Sequence, residues 1–343
     1  MTRRKSAGPL SLGKSIGKGS FGEVFEAEKV TSSPKWDQIP DGPVAVKIIE
    51  NAAAQDNIVE KEKKAAKMIP LHPNLLRTYG YFGIERGNTF CVVFELLKGG
   101  NFDNVQAMEE NVVKTILSDV CSGLKRMHDE GIVHRDIKPE NLMMVRPDRL
   151  QVKIIDFGFA HDCKRGSPSD FAGTPRYLAP EQVYYNDISE GKRLGAYETK
   201  IASAGTPQTD VWQVAATAVE MITGKPLYRT PGIINGKHNY GRIIRREFSC
   251  EINSLNISSA GKRCLSGMLR MNPGDRYSLD RVINSEWLRD MFKVASSDAS
   301  LFSRMTMPPV ARGSRSGPPP AMLTNKAARR ATERDITTYF KSN

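Results

Sequence analysis

The chain is 343 residues long, 39% hydrophobic and 26% charged, with 50 Lys and Arg against 38 Asp and Glu for a net charge of +12. That length allows one large domain or two lobes of roughly 100–200 residues each plus a tail, and the composition is that of a folded globular protein. It argues against a membrane span, since no apolar run nears the roughly 20 residues required, against a signal peptide after the basic start, and against a specific nucleic-acid partner, since no zinc-finger, RRM or KH signature accompanies the charge.

From the N-terminus, residues 10–24 read as strand, tight turn and strand, with Gly17-Lys18-Gly19-Ser20-Phe21-Gly22-Glu23-Val24 at the turn. Glycine there lets the backbone close over a phosphate with no Cβ in the way. A lone pattern of this kind also describes an ordinary turn. A dinucleotide fingerprint would lead into a helix, whereas Val24-Phe25-Glu26-Ala27 continues as strand. Residues 31–43 hold three prolines and read as an enlarged hairpin loop. Residues 44–49 form a strand by their β-branched content, and alternation places Ala45, Lys47 and Ile49 on one face. A lysine on an apolar strand face needs solvent or a charge partner. Lys47 is therefore either an edge-strand lysine or a phosphate-holding one positioned by a carboxylate. The helix predicted over residues 57–69 offers Glu60 and Glu62. Glu62 is preferred, because Ala66 and Ile69 stand at i+4 and i+7 from it and mark the inward face. His72-Pro73-Asn74 ends that helix, two strands follow, the second over residues 90–95, and residues 96–100 read as a connector between lobes.

Val113, Ile116, Leu117, Val120, Leu124 and Met127 recur at helical spacing, giving a long amphipathic helix that ends near Gly131. It leads into His134-Arg135-Asp136-Ile137-Lys138-Pro139-Glu140-Asn141, then to a short strand ending at Asp156-Phe157-Gly158, then to Ala179-Pro180-Glu181. These loops present two carboxylates, a carboxamide, a lysine and an arginine between short apolar runs, a set suited to metal-bound phosphate rather than to a packed core. Residues 185–208 are polar and long for a simple connection. Thr209-Asp210 reads as the cap of an apolar helix over residues 211–223, closed by Gly224 and Pro226; so apolar a helix must be buried as the spine of the larger lobe. Further helices run to about Leu288. Residues 290–343 carry nine Lys and Arg against four Asp and Glu, with proline clusters, and are expected to be a disordered basic tail. Residues 325–340 are its candidate helix for a regulatory partner, of calmodulin type, or for an autoinhibitory contact.

Taken together, the glycine turn, Val44-Ala45-Val46-Lys47, His134-Arg135-Asp136 through Asn141, Asp156-Phe157-Gly158 and Ala179-Pro180-Glu181 resemble the eukaryotic protein kinase superfamily over roughly residues 10–288. Lys138 in the catalytic loop and Gly173-Thr174-Pro175-x-Tyr177 resemble its serine/threonine branch, in general character similar to the calcium/calmodulin-dependent-like kinases. The resemblance implies an α+β bilobal fold. An N-terminal extension (1–9) would precede a small antiparallel β-sheet N-lobe with one helix (10–96), and a larger, mainly helical C-lobe (97–289) would precede the tail (290–343).

It also implies ATP and Mg²⁺. Asp136 would orient or accept the proton of a substrate hydroxyl and Lys138 would stabilise the transferring phosphoryl group. Asn141 and Asp156 would hold Mg²⁺, a hard cation that favours oxygen. Gly17, Gly19 and Gly22 would cover the phosphates, with Lys47 bound to them and to Glu62. The adenine would lie between Val24 and Ala45 on one side and Met143 on the other, read by the hinge backbone at Glu95 and Leu97, with Phe94 as gatekeeper. Thr174 and Ala179-Pro180-Glu181 would form the platform for a peptide. Arg276 would pair with Glu181, and Asp210 would anchor the catalytic loop.

Two departures from the family pattern stand out. Many relatives phosphorylate a threonine three residues before the glycine of Gly-Thr-Pro, and its phosphate pairs with the arginine of His-Arg-Asp. Here that position is Asp170, which is expected to give Arg135 a standing negative charge. The substitution is partial, since a carboxylate brings about one charge and a phosphate about −1.5 to −2. The alternative is a solvated aspartate, with Ser167 or Ser169 as the phosphosite. Glu140 and Glu220 resemble the carboxylates with which basophilic kinases select arginine upstream of the target, but Asn101 stands where a third is often found. The expected function is ATP-dependent phosphorylation of serine and threonine in protein substrates by a monomer. The alternative is a pseudokinase scaffold that keeps the fold and loses the chemistry, although every expected catalytic residue is present. A small-molecule kinase would lack the peptide platform. Five scattered cysteines without zinc spacing favour a reducing compartment, cytoplasmic or nuclear.

Overall fold

Alternation of β-branched and small residues builds the first lobe. Strands β1 (Ser6–Ala7), β2 (Leu10–Gly19), β3 (Gly22–Lys29), β4 (Pro43–Ile49), β5 (Thr78–Ile84) and β6 (Thr89–Glu95) form a six-stranded sheet in the order β1-β2-β3-β4-β6-β5. Every pairing in it is antiparallel. The computed structural model describes residues 6–19, 22–31, 33, 36–84, 88–103, 105–228, 233–234, 237–238, 248 and 250–291. The expectations for the tail beyond residue 291, and for Ser20 and Phe21 at the tip of the glycine turn, lie outside the described residues.

On β4 the period of two decides which side chain meets which core. Val44 and Val46 pack with Leu10, Ala27, Ile39 and Val93 on one side of the sheet, and Ile49 packs with Val59, Phe90 and Val92 on the other. Each such buried aliphatic side chain contributes about 1.5–3 kcal/mol relative to exposure. Lys47 shares the face of Ile49, toward helix α1 (Asp56–Met68), which inserts Val59 into that second cluster.

The second lobe grows around two helices. Helix α2 (Glu110–Asp129) buries the predicted stripe from Val113 to Met127. It is followed by β7 (Ile132–Val133), β8 (Leu142–Arg146), β9 (Arg149–Ile154) and β10 (His161–Asp162), then α3 (Pro180–Ser189), α4 (Ala196–Ile201), α5 (Pro207–Thr223), the short strands β11 (Ile233–Ile234) and β12 (Lys237–His238), α6 (Ser259–Met268) and α7 (Leu279–Ile283). Helix α5 is buried at every position from Thr209 to Met221 and forms the spine of this lobe. The arrangement is the α+β bilobal one.

The start of α5 corrects the sequence reading. Thr209-Asp210 is not the cap: Thr206 is, with Pro207 at the first helical turn, and the Thr209 hydroxyl accepts from the Thr206 amide at 3.0 Å. Residues 185–208, polar and long for a simple connection, begin inside α3 and contain α4. Gly224, at φ 67°, ends α5 as expected.

Two backbone contacts help to join the lobes. Residues 74–76 run beside β9, with the Leu76 amide donating to the Ile154 carbonyl at 2.9 Å and the Ile154 amide donating to Asn74 at 2.9 Å. The connector's Gly99 lies so close to β8 that an added Cβ would meet the Met144 Cβ at 2.3 Å, a place only glycine can occupy. Among the described residues no helix is long and apolar enough to cross a membrane.

Candidate active site

The catalytic loop lies between β7 and β8 and is pinned from below by α5. The Asp210 carboxylate accepts from the amides of His134 at 2.9 Å and Arg135 at 2.7 Å, and meets His128 Nε2 at 2.8 Å. Gln213 accepts from the Ile137 amide at 2.9 Å and donates to the Arg135 carbonyl at 2.7 Å. Burial alone would push the Asp210 carboxyl up, but the His128 hydrogen bond and the neighbouring donors outweigh it and hold the carboxyl down. Arg135 (φ 72°) and Asp156 (φ 60°) both sit in the left-handed region, a strained state for residues with a Cβ that the surrounding contacts must hold in place.

Within that frame Asp136 is 2% exposed. Its Oδ1 accepts from Thr174 Oγ1 at 2.7 Å, Lys138 lies 2.9 Å from its Oδ2, and Asn141 Nδ2 donates to the same oxygen at 3.1 Å and to the Asp136 carbonyl at 2.8 Å. Lys138 in turn donates to Thr174 Oγ1 at 2.7 Å. Burial opposes charge on both partners, yet the Lys138 ammonium and the Thr174 hydroxyl hold the Asp136 carboxyl below its ordinary range, and the Asp136 charge raises Lys138 above its own. The pair is therefore ionised at neutral pH. His134, fully buried, is pushed toward its neutral form by desolvation; its Nδ1 accepts from the Asp136 amide at 3.2 Å and its ring meets Phe157 edge-on at 5.6 Å.

The first lobe contributes the other half. Gly17 pairs with Val24 and Gly19 with Gly22 across the hairpin, and a Cβ on Gly22 would meet the Ile48 carbonyl at 2.5 Å. Lys47 donates to Glu62, whereas Glu60 pairs with Lys63 at 2.7 Å on the helix exterior. The alternative left open by the sequence thus goes to Glu62. Ala45 is paired with Phe94 across β4 and β6. Glu95 accepts from the Arg77 amide at 2.7 Å and from Lys153 at 2.6 Å. Leu97 is buried, and Met143 bridges to Asn101.

Asp156 is exposed at the end of β9, its Oδ1 accepting from the Gly158 amide at 3.1 Å. Asp170 does meet Arg135: Nη1 donates to its Oδ1 at 2.9 Å and to its main-chain oxygen at 2.9 Å, while Nε donates to the Phe159 carbonyl at 2.8 Å. The guanidinium outweighs desolvation and holds the Asp170 carboxyl below its usual range. Ser167 and Ser169 are exposed beside it, and the Ser169 carbonyl accepts from Tyr185. Arg276 forms a two-pronged pair with Glu181 at 2.8 and 2.9 Å, both side chains 0% exposed.

Sequence reasoning missed Gln213, His128 and Lys153. A signal for the first existed: Asp210, Gln213, Thr217 and Glu220 recur at i, i+3, i+7 and i+10 in an otherwise apolar helix, a polar stripe that must face polar partners.

Residues 10–288 match the family model of the protein kinase domain. The chain belongs to the protein kinase family, in its serine/threonine branch. It is 28% identical over 298 residues to a probable myosin light chain kinase of Dictyostelium discoideum, covering 82% of this chain and 83% of that one. It is 29% identical over 282 residues to myosin light chain kinase family member 4 of Homo sapiens (80% and 65%), and 27% identical over 314 residues to the serine/threonine-protein kinase ATG1a of Arabidopsis thaliana (89% and 46%). The kinase thus spans less than two thirds of the human and Arabidopsis relatives.

Proposed function

We propose that the protein transfers the γ-phosphoryl group of ATP to serine and threonine hydroxyls of protein substrates, as a monomer in the cytoplasm or nucleus. The observation behind this reading is the bonded set Asp136, Lys138, Thr174 and Asn141, an ionised carboxylate and an ammonium held on one hydroxyl.

Asp136 accepts a hydrogen bond from the incoming hydroxyl and aims its oxygen at the γ-phosphorus. It takes the proton as the new phosphorus–oxygen bond forms and the bond to the departing ADP oxygen breaks. Lys138 balances negative charge on the phosphoryl group in transit. Lys47, oriented by Glu62, holds the α- and β-phosphates, beneath the glycines at 17, 19 and 22. Val24, Ala45, Met143 and the hinge backbone at Glu95 and Leu97 hold the adenine.

The donor set fits Mg²⁺. Asn141 commits its amide nitrogen to Asp136 and keeps its carbonyl oxygen as an acceptor, and Asp156 presents an exposed carboxylate; both are the oxygen ligands a hard cation takes. When bound, Mg²⁺ neutralises phosphate charge.

Two finer proposals join this reading. Asp170 gives Arg135 a standing charge that makes activation-segment phosphorylation dispensable, supported by the 2.9 Å contact. Glu140 and Glu220 give the site a basic-context preference. The test is transfer of label from γ-radiolabelled ATP to an oriented serine/threonine peptide library, present in wild type and lost in Lys47→Met and Asp136→Asn.

A further inference from the structure

The platform for the peptide contains a cation of its own. Arg176 stands between Thr174-Pro175 and Tyr177, with Nη2 3.6 Å from Glu140 Oε1; the two side chains are 35% and 27% exposed. Its guanidinium carbon lies 5.9 Å from the Tyr177 ring centre. Tyr177 hydrogen-bonds through its hydroxyl to Glu220 Oε2. Glu140, Glu220, Tyr177 and Arg176 are therefore one cluster. Desolvation and the nearby Glu140 charge push the Glu220 carboxyl up, against the pull of Tyr177 and Arg176.

Among the described residues, Glu140 Oε2 is buried with no hydrogen-bond partner, so the acidic pair retains unused acceptor capacity next to a guanidinium already present. At full ionisation two carboxylates facing a substrate arginine would present two negative charges; with Arg176 in place the cluster carries only one.

We propose that Arg176 is a specificity-determining residue that competes with a substrate arginine for Glu140 and Glu220. The enzyme consequently reads basic peptides weakly, and loss of Arg176 unmasks the acidic pair. This rests on the proposed reading of Glu140 and Glu220 as the residues that face a basic peptide. The contact is half-open to water and longer than a hydrogen bond, so an incoming guanidinium can displace it; what Arg176 imposes is a handicap, not a block.

The test uses the full chain and two serine peptides from the library that differ only in one upstream arginine replaced by alanine. The quantity read is the ratio of kcat/KM for the arginine peptide over the alanine peptide. In Arg176→Ala this ratio should rise about fivefold, the effect of removing one partly screened like charge. The rise should fall on KM rather than kcat and shrink as salt is added. Arg176→Lys, which keeps the charge, should stay near the wild-type ratio, and Arg176→Ala/Glu140→Gln should lose the gain. Should Arg176→Ala not fold, Arg176→Gln provides the same reading, since it removes the charge and keeps side-chain bulk beside Tyr177. An unchanged ratio in Arg176→Ala alongside a lowered one in Glu140→Gln overturns the role of Arg176 and leaves the acidic pair standing. An unchanged ratio in both overturns the two together.

Discussion

Replacing Asp170 by alanine removes the one side-chain carboxylate bonded to Arg135 among the described residues. The Arg135 side chain is 3% exposed and that of Asp170 49%, so the pair lies between two regimes. A solvent-exposed pair is worth under about 1 kcal/mol, and loss of a partner from a fully buried one costs about 3–5 kcal/mol. The guanidinium is not orphaned by the change, because the main-chain oxygens of residue 170 and Phe159 continue to accept from it. A cost of about 1.5 kcal/mol follows; falling on the ordered activation segment, it lowers the ordering equilibrium constant about tenfold and the active population by up to that factor. The assay is kcat on a serine peptide after phosphatase treatment, with thermal unfolding to confirm that the domain remains folded. Wild type should keep its rate after the treatment, and Asp170→Ala should lose up to about tenfold. Since the Asp170 carboxyl is held below its ordinary range, its contribution is complete above the unfolded value near 3.8 and fades only as pH falls through the lower folded value. No titration of this pair should appear between pH 5 and 8. Wild type silenced by phosphatase, with Asp170→Ala matching untreated wild type, would show that a phosphate, not Asp170, supplies the charge to Arg135.

The choice between two glutamates gives a second expectation: Glu62→Gln should lower kcat/KM for ATP by tenfold or more, whereas Glu60→Gln, which breaks only an exposed pair, should stay within about twofold. A third concerns stability. Among the described residues, Arg276→Met leaves the buried Glu181 carboxylate with the Thr209 hydroxyl at 3.0 Å as its one remaining side-chain partner, a loss of about 3–5 kcal/mol. At about 2–4 °C per kcal/mol for a domain of this size, the melting temperature should fall by roughly 6–20 °C; calorimetry showing under about 2 °C would contradict a load-sharing role for the pair.

Local chemistry explains how much was legible in the sequence. Alternation put Lys47 on one strand face with Ala45 and Ile49 but left open whether it reached solvent or a carboxylate, and Glu62 could be preferred because its i+4 and i+7 neighbours are apolar. The Arg135–Asp170 contact was reached through the family pattern of spacing, not through any periodicity, since activation-segment residues form no regular element. The cap of α5 was misplaced because Thr-Asp ahead of an apolar run is a sound capping signal by itself. What it could not show is that Thr206 and Pro207 start the helix a turn earlier and free Asp210 to face the amides of His134 and Arg135. Contacts such as Lys153 to Glu95, 58 residues apart, or Arg176 to Glu140 across two loops, have no local signature at all. They arise only once α2, α5 and β9 have packed.

On the proposed function, Asp136 takes the proton of the substrate hydroxyl. Asn at that position keeps the size and one acceptor oxygen but cannot accept the proton, and its amide nitrogen turns a donor toward one of the groups that now donate to Asp136, so the variant is read together with a thermal-unfolding check that it remains folded. With saturating γ-radiolabelled ATP and the best serine peptide, kcat should fall at least about hundredfold, within the range general-base groups contribute, with the KM for ATP changed less than about threefold. A kcat within about threefold of wild type in the folded variant would mean that Asp136 does not take the proton.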